Sequence, residues 1–355
     1  MLKFIAPLAL LLAATAPAHA QVEGATEADA ILKDFTFATG EKLAELKLHY
    51  TTLGTPQRDK TGHVTNAVMI LHGTGGTGKQ FFQPQFASEL FGPGQPLDTS
   101  KYYVILPDNI GHGGSSKPSD GLRMKFPKYD YADMVAAQRR LLTEKLGVQK
   151  LKLILGTSMG CMHAFVWGET WPGFAERLAP FACLPVEIAG QNRMWRTLSI
   201  DAIKADPLWQ DGNYSAPPAA GLRTAAALSM IAGANPYALQ AQYPTREAAE
   251  KYKDVAFART YGRNDANDTI YQLESSRTYN PWADLEKITV PVLWINSADD
   301  FINPPLYGIT EKAAPRMPRA TFILIPASPE TKGHSTHTWA KFWKDDLAKL
   351  MAEKP

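Results

Sequence analysis

Short, mostly apolar runs recur along the chain, separated by longer stretches in which apolar residues return every three or four positions. The runs are Ala67–Leu71, Tyr102–Leu106, Val148–Leu155, Leu178–Leu184, Val290–Ile295 and Ala320–Ile325. Continuous apolar segments of that length predict strands buried on both faces, the signature of a parallel sheet. Helices are expected over Gln80–Leu90, Tyr129–Leu146, Cys161–Thr170 and Thr338–Glu353, with Gly147 ending the second. Earlier, Asp34–Gly40 and Leu43–Thr52 alternate polar and apolar residues around a Thr39-Gly40-Glu41 turn, so an antiparallel pair is expected after a polar leader. Strand and helix in alternation call for an α/β architecture, a mostly parallel central sheet flanked by helices on both faces. The rhythm breaks between Pro185 and about Thr289, where helices and loops are expected and no strand. That stretch reads as a helical lid inserted before the last two strands. The resulting division is a core over 21–185, a lid over 186–289 and a second core part over 290–355.

The first twenty residues follow another pattern. Lys3, the apolar run Phe4–Ala16 and the small-x-small Ala18-His19-Ala20 before Gln21 predict a cleavable export signal, too short to span a bilayer comfortably. Cleavage after Ala20 would leave 335 of the 355 residues, with a periplasmic or secreted location. The formal charge of +2, or +1 without Lys3, argues against nucleic acid or an anionic membrane as the main partner. Cys161 and Cys183 are the only cysteines. Both sit in apolar runs, so buried free thiols are expected, although an oxidising compartment would permit one bond.

Candidate chemistry gathers where the strands end. The run Leu151–Leu155 leads into Gly156-Thr157-Ser158-Met159-Gly160, a G-x-S-x-G turn. Such a strand-to-helix elbow lifts Ser158 Oγ above the sheet edge, and its glycines stand where a Cβ would collide with the neighbouring chain. A serine needs a base, and the base needs an orienting acid. In this strand order the acid should follow the next-to-last strand and the histidine the last. Asp299 and Asp300 follow Val290–Ile295. Asp300 is preferred because the Asn303-Pro304 turn aims it back at the sheet, which leaves Asp299 as a solvated loop residue. After Ala320–Ile325 come His334 and His337; His334, directly behind Gly333, is the expected base, and His337 a helix-face or lid contact. Backbone N–H groups of Thr74 and Met159 are the expected oxyanion donors.

Other features carry less. Gly73–Lys79 approaches a phosphate-binding loop, but Gln80 stands where a magnesium-binding Ser or Thr is needed. His72 is expected to bond the backbone of its own loop; His112 and His163 read as structural. No Cys or carboxylate cluster joins His334 and His337, so no metal and no cofactor is expected. Trp195, Trp209 and Trp282 read as lid core.

Taken together, these stretches resemble the homoserine O-acetyltransferase branch of the α/β-hydrolase superfamily, from about Phe35 to the final helix. The matching residues include Tyr50-Thr51-Thr52-Leu53-Gly54, Asn66-Ala67-Val68, the elbow, and Asp300–Pro305. In the lid, Asp206-Pro207-Leu208-Trp209 through Tyr214, and Gly221-Leu222, are similar to that family's signatures. The resemblance implies the α/β-hydrolase fold, a serine nucleophile, a ping-pong acyl-enzyme mechanism and a homodimer through the lid helices. Two departures stand out. Family members carry Asp after the histidine to hold a substrate amino group, and here it is Ser335. The lid helix that normally brings Arg and then Tyr-Arg to the site reads Arg223–Ala234, with alanine and glycine at those places. Losing a charged contact costs about 1.5–3 kcal/mol. The expectation is therefore a serine hydrolase of small or medium esters or amides, with acyl transfer to another alcohol as the alternative and a silent binding protein as a remote third reading.

Overall fold

The computed structural model describes residues 24–252 and 264–355; the expected export signal, 1–20, lies outside the described residues. Eight strands form one sheet: β1 Thr26–Thr36, β2 Lys42–Leu53, β3 Ala67–Leu71, β4 Tyr103–Pro107, β5 Leu153–Thr157, β6 Leu178–Phe181, β7 Val292–Ser297 and β8 Ala320–Ile325. Their spatial order is β1-β2-β4-β3-β5-β6-β7-β8. The β1–β2 and β2–β4 pairs are antiparallel and every later pair is parallel. The expected parallel strands are present, some shortened at their ends. The first strand differs more, because it begins at Thr26, inside the segment expected to be a polar leader. A kink hides its pattern: Asp34 has φ 50°, and burial passes from Ala30 and Leu32 to Phe35 and Phe37, reversing the alternation.

Successive residues of the central strands enter opposite cores. Met69, Ile105, Ile154 and Trp294 pack with helix α2 (Tyr131–Arg140) and helix α3 (Met159–Thr170). Val68, Leu106, Leu155 and Ile295 face the other way, towards Phe86 and Leu90 of helix α1 (Pro84–Leu90) and the closing helix Lys344–Ala352. Burying each such aliphatic side chain stabilises the fold by about 1.5–3 kcal/mol, which is why these runs are apolar throughout. The helix expected over 129–146 is α2 followed by a wider π turn, Leu141–Leu146, and ends at Gly147 with φ 72°. The closing segment is broken where one helix was expected: Thr338 belongs to a 3-10 turn, Gly333–Thr338, and the α-helix starts only at Lys344.

Between β6 and β7 the described residues hold helices and no strand. Helix α4 (Gly190–Ala205) packs on helix α5 (Ala219–Ala232), and helix Ala266–Glu274 lies against α4. A third apolar cluster, including Ile200, Ile203, Trp209, Leu222 and Ile270, gives this segment its own core. The residues of this segment that resemble the family motifs build this scaffold. Asp206 accepts from Leu208 N–H and from Gly221 N–H, both at 3.0 Å. A Cβ at Gly221 would stand 2.6 Å from Ala202 O, so only glycine lets α4 and α5 approach so closely. Trp209 Nε1 donates to Asn267 Oδ1 at 3.0 Å, and Tyr214 bonds Asp265.

Cys161 and Cys183 are joined, with Cα atoms 5.8 Å apart. The expected burial is right, since both are fully buried, but the expected free thiols are not. Spacing could not show that the first turn of α3 passes beside the chain leaving β6. The bond ties these two segments together.

Candidate active site

The elbow at the end of β5 has the geometry its glycines require. A Cβ on Gly156 would lie 1.9 Å from Gly160 O, and one on Gly160 would lie 2.1 Å from Leu71 O. Between them Ser158 is held at φ 55°, a conformation costly for a residue with a side chain, of order 1–3 kcal/mol. The strain points Oγ away from the sheet. His334 Nε2 is 2.8 Å from that oxygen, and His334 Nδ1 is 2.8 Å from Asp300 Oδ2. Ser158, His334 and Asp300, separated by up to 176 positions, thus form one hydrogen-bonded line.

Asp300 is well prepared to face an imidazolium. Its Oδ1 accepts from Ile302 N–H at 2.8 Å and Asn303 N–H at 3.2 Å, and its Oδ2 also accepts from Asn303 Nδ2 at 3.2 Å. Asn303 is in turn anchored on Ala182 O at 3.0 Å. Burial alone would raise the carboxyl pKa, but His334 and these donors hold it below the usual aspartate value. It therefore stays ionised although only 2% of the residue is exposed.

Asp299 departs from expectation. It is a buried brace, 7% exposed, instead of a solvated loop residue. Its carboxylate accepts from Thr331 Oγ1 at 2.8 Å and Gly333 N–H at 3.1 Å, besides Ser297. The neighbouring acids thus divide the work: Asp300 bonds the imidazole, and Asp299 fixes the loop that carries it. Two consecutive aspartates after a buried strand were the available signal. His337 packs its ring 5.2 Å from His334, edge to face, and burial pushes its pKa down to about 3, with His334 adding to the shift. It is a half-buried, neutral neighbour of His334.

Thr74 and Met159 stand beside the serine. A Cβ at Gly73 would be 3.3 Å from Ser158 Cβ, so the Gly73–Gly76 loop presses directly on the elbow. That loop closes through Gly76 N–H to Gly73 O at 3.0 Å, a bond in which Thr74 N–H takes no part. Met159 N–H is the first of α3 and has no partner within the helix. Lys79 pairs with Glu27 at 2.8 Å and Gln80 donates to Thr157 Oγ1 at 3.1 Å, so the lysine of the phosphate-loop-like sequence is engaged elsewhere.

His72, His112 and His163 are buried within the fold. His72 Nδ1 bonds Gly73 O at 2.8 Å while its Nε2 accepts from Asn109 N–H at 3.0 Å. His112 Nδ1 bonds Ile110 O at 2.9 Å, and His163 Nδ1 lies 3.2 Å from Gln138 Nε2. Burial keeps all three below the normal histidine pKa. Of the tryptophans, Trp209 and Trp195 belong to the helical-segment core, whereas Trp282 packs on the main core beneath Arg316.

A serine raised on a G-x-S-x-G elbow, with His and Asp delivered after the last two strands, is the arrangement of one enzyme class. The chain belongs to the α/β-hydrolase fold family, which it matches over residues 66–330. Within that family it falls in the homoserine O-acetyltransferase-like branch. It is 33% identical to a homoserine O-acetyltransferase from Solidesulfovibrio magneticus, over 72% of this chain and 70% of that protein. It is also 29% identical to a probable acyltransferase from Methanothermobacter thermautotrophicus, over 83% of this chain and 88% of that one. Among solved structures it shares the fold of the acetyl esterase MekB, with a TM-score of 0.80 at 23% identity, covering 92% of this chain and 97% of that one.

Proposed function

We propose that this chain is an exported serine hydrolase that cleaves small or medium carboxylic esters, or amides, through an acyl-enzyme on Ser158. The observation that carries the reading is the position of His334, 2.8 Å from both Ser158 Oγ and Asp300 Oδ2. Ser158 Oγ attacks the substrate carbonyl as His334 Nε2 takes its proton, and Asp300 balances the imidazolium. Thr74 and Met159 N–H groups hold the oxyanion, each such donor being worth about 3 kcal/mol in the transition state. Collapse expels the alcohol, which takes the proton from His334. Water then repeats the cycle in reverse and frees the acid. The helices of 186–289 act as a lid, and a homodimer forms through them.

Two observations favour water as acceptor. Ser335 stands where the family's amino-group anchor is Asp, and alanine and glycine occupy the family's Arg and Tyr-Arg positions, so an amino-acid alcohol would be held weakly. The Cys161–Cys183 bond supports export, since disulfides persist mainly in oxidising compartments, away from intracellular acyl-CoA donors. A second reading, acyl transfer to a different alcohol, is favoured by the names of the relatives. A panel of chromogenic esters, run with and without added alcohols, decides between them. The hydrolase reading expects free acid as the main product at all acceptor concentrations. Dominant transfer at low acceptor concentration would replace it with the second, and absence of turnover on every ester would remove both.

A further inference from the structure

Arg196, on α4, is 2% exposed, yet among the described residues no carboxylate pairs with it. Its Nε donates to Asn192 Oδ1 at 2.9 Å, a terminal nitrogen reaches Ser276 Oγ at 3.4 Å, and its guanidinium lies 4.9 Å from the ring centre of Trp195. The neighbouring Arg193 is different, because it is paired with Glu274 at 3.0 Å. Burial pulls the Arg196 pKa below the usual arginine value; Tyr131 opposes this and Arg193 adds to it. A guanidinium buried without a counter-charge is expensive, and removing it from water is normally offset by an anion.

A second observation comes from the oxyanion loop. Tyr131 Oη and Thr74 Oγ1 are both buried and without a hydrogen-bond partner among the described residues. Arg196, Ser276 and Thr74 are the side chains that bear on the Tyr131 hydroxyl, but none meets it in hydrogen-bonding geometry. The cluster therefore combines a guanidinium, a phenol and two aliphatic hydroxyls, rich in donors and without a negative acceptor. It also adjoins the nucleophile, since Thr74 follows Gly73, whose Cβ would lie 3.3 Å from Ser158 Cβ. A carboxylate supplies what is missing: one negative charge and two oxygens able to accept from several donors at once.

We propose that Arg196, Tyr131 and Thr74 form a subsite for a carboxylate carried by the substrate, so that the preferred esters are half-esters of diacids or acylated hydroxy acids. The inference deepens the hydrolase reading and rests on it. Arg196 lies outside the run Arg223–Ala234 at which the family's charge anchors are replaced, so the recognition is rebuilt from a different helix.

Matched pairs of esters test it. Monoethyl succinate against ethyl butyrate places the charge on the acyl side; 3-acetoxypropanoate against propyl acetate places it on the alcohol side. One anionic member is expected to exceed its neutral partner at least tenfold in kcat/KM. Arg196→Gln should bring that ratio towards one, and Arg196→Lys should keep part of it. Thr74→Val, which retains the backbone donor, should lower the ratio severalfold and serves if Arg196→Gln does not fold by circular dichroism. Calorimetric binding of succinate to the Ser158→Ala protein, with succinamide as neutral control, gives a readout independent of turnover, and it should vanish in Arg196→Gln. Neutral esters turned over without any anionic preference, or succinate failing to bind, would overturn the subsite and leave the hydrolase reading standing. Equal losses on charged and neutral esters in Arg196→Gln would also overturn it, reducing Arg196 to a positioning residue. Succinate binding without turnover of any ester would keep the subsite and remove the hydrolase reading.

Discussion

The floor of the site and the helical segment between β6 and β7 are built on opposite terms. On the floor the two acids are already answered: the Asp300 carboxylate meets four donors, and Asp299 braces the histidine loop. In the helical segment, Asp206, Trp209 and Gly221 complete a scaffold, while Arg196 on α4 is buried with no carboxylate partner among the described residues. Groups that must stabilise developing charge are prearranged, because reorganising them during the reaction would raise the barrier. Groups that recognise a substrate can stay unmatched until it arrives. In the proposed reading the reacting groups are held ready by the core, and the helical segment adds the charge that selects the substrate.

The contrast can be broken most severely on the floor. Asp300→Asn is expected to lower kcat for ester hydrolysis by about 10⁴-fold, because the imidazole loses its orienting charge. Steady-state kinetics on a chromogenic acetate ester would show it; a loss under tenfold would mean that His334 is oriented by something else. Next in size is the link beneath the elbow. Replacing Cys161 and Cys183 together by alanine should cost about 3 kcal/mol of unfolding free energy, measured by urea titration in non-reducing buffer.

His337 gives an effect of similar size that depends on pH. Its folded pKa, about 3, lies below the unfolded value of about 6.5, so the unfolded chain takes the proton first. Its contribution is complete above pH 6.5 and declines as pH falls towards 3. Against a His337→Gln variant, the native protein should lose about 3 kcal/mol more stability between pH 7 and pH 4. The smallest effect belongs to the scaffold. Asp206→Ala should destabilise by about 1–3 kcal/mol through two unanswered N–H groups, while kcat on a neutral ester stays within about twofold.

Much of this was legible in the sequence, and the exceptions have physical causes. Apolar runs and strand order located Ser158, Asp300 and His334 because a buried parallel strand must be apolar throughout and its outgoing loop must lie at the sheet edge. The β1 strand was half missed, since Asp34 reverses its alternation. Asp299 was misplaced because burial of a charged side chain depends on donors 32 and 34 positions away, Thr331 and Gly333. The disulfide was missed for the same reason, as only the packing of α3 beside the chain leaving β6 brings the two sulfurs together. Arg196 carried no local signal at all: an arginine on an amphipathic helix normally faces water, and only the neighbours contributed by α2, Ser276 and the Gly73–Gly76 loop show otherwise.

The central claim is that the line Asp300–His334–Ser158 makes one hydroxyl reactive. Treating the purified protein with a fluorophosphonate and locating the adduct by peptide mass spectrometry tests it most directly. The account predicts a single adduct on Ser158, absent in Ser158→Ala and formed far more slowly in Asp300→Asn. An unlabelled Ser158, or labelling that Asp300→Asn leaves unchanged, would contradict it.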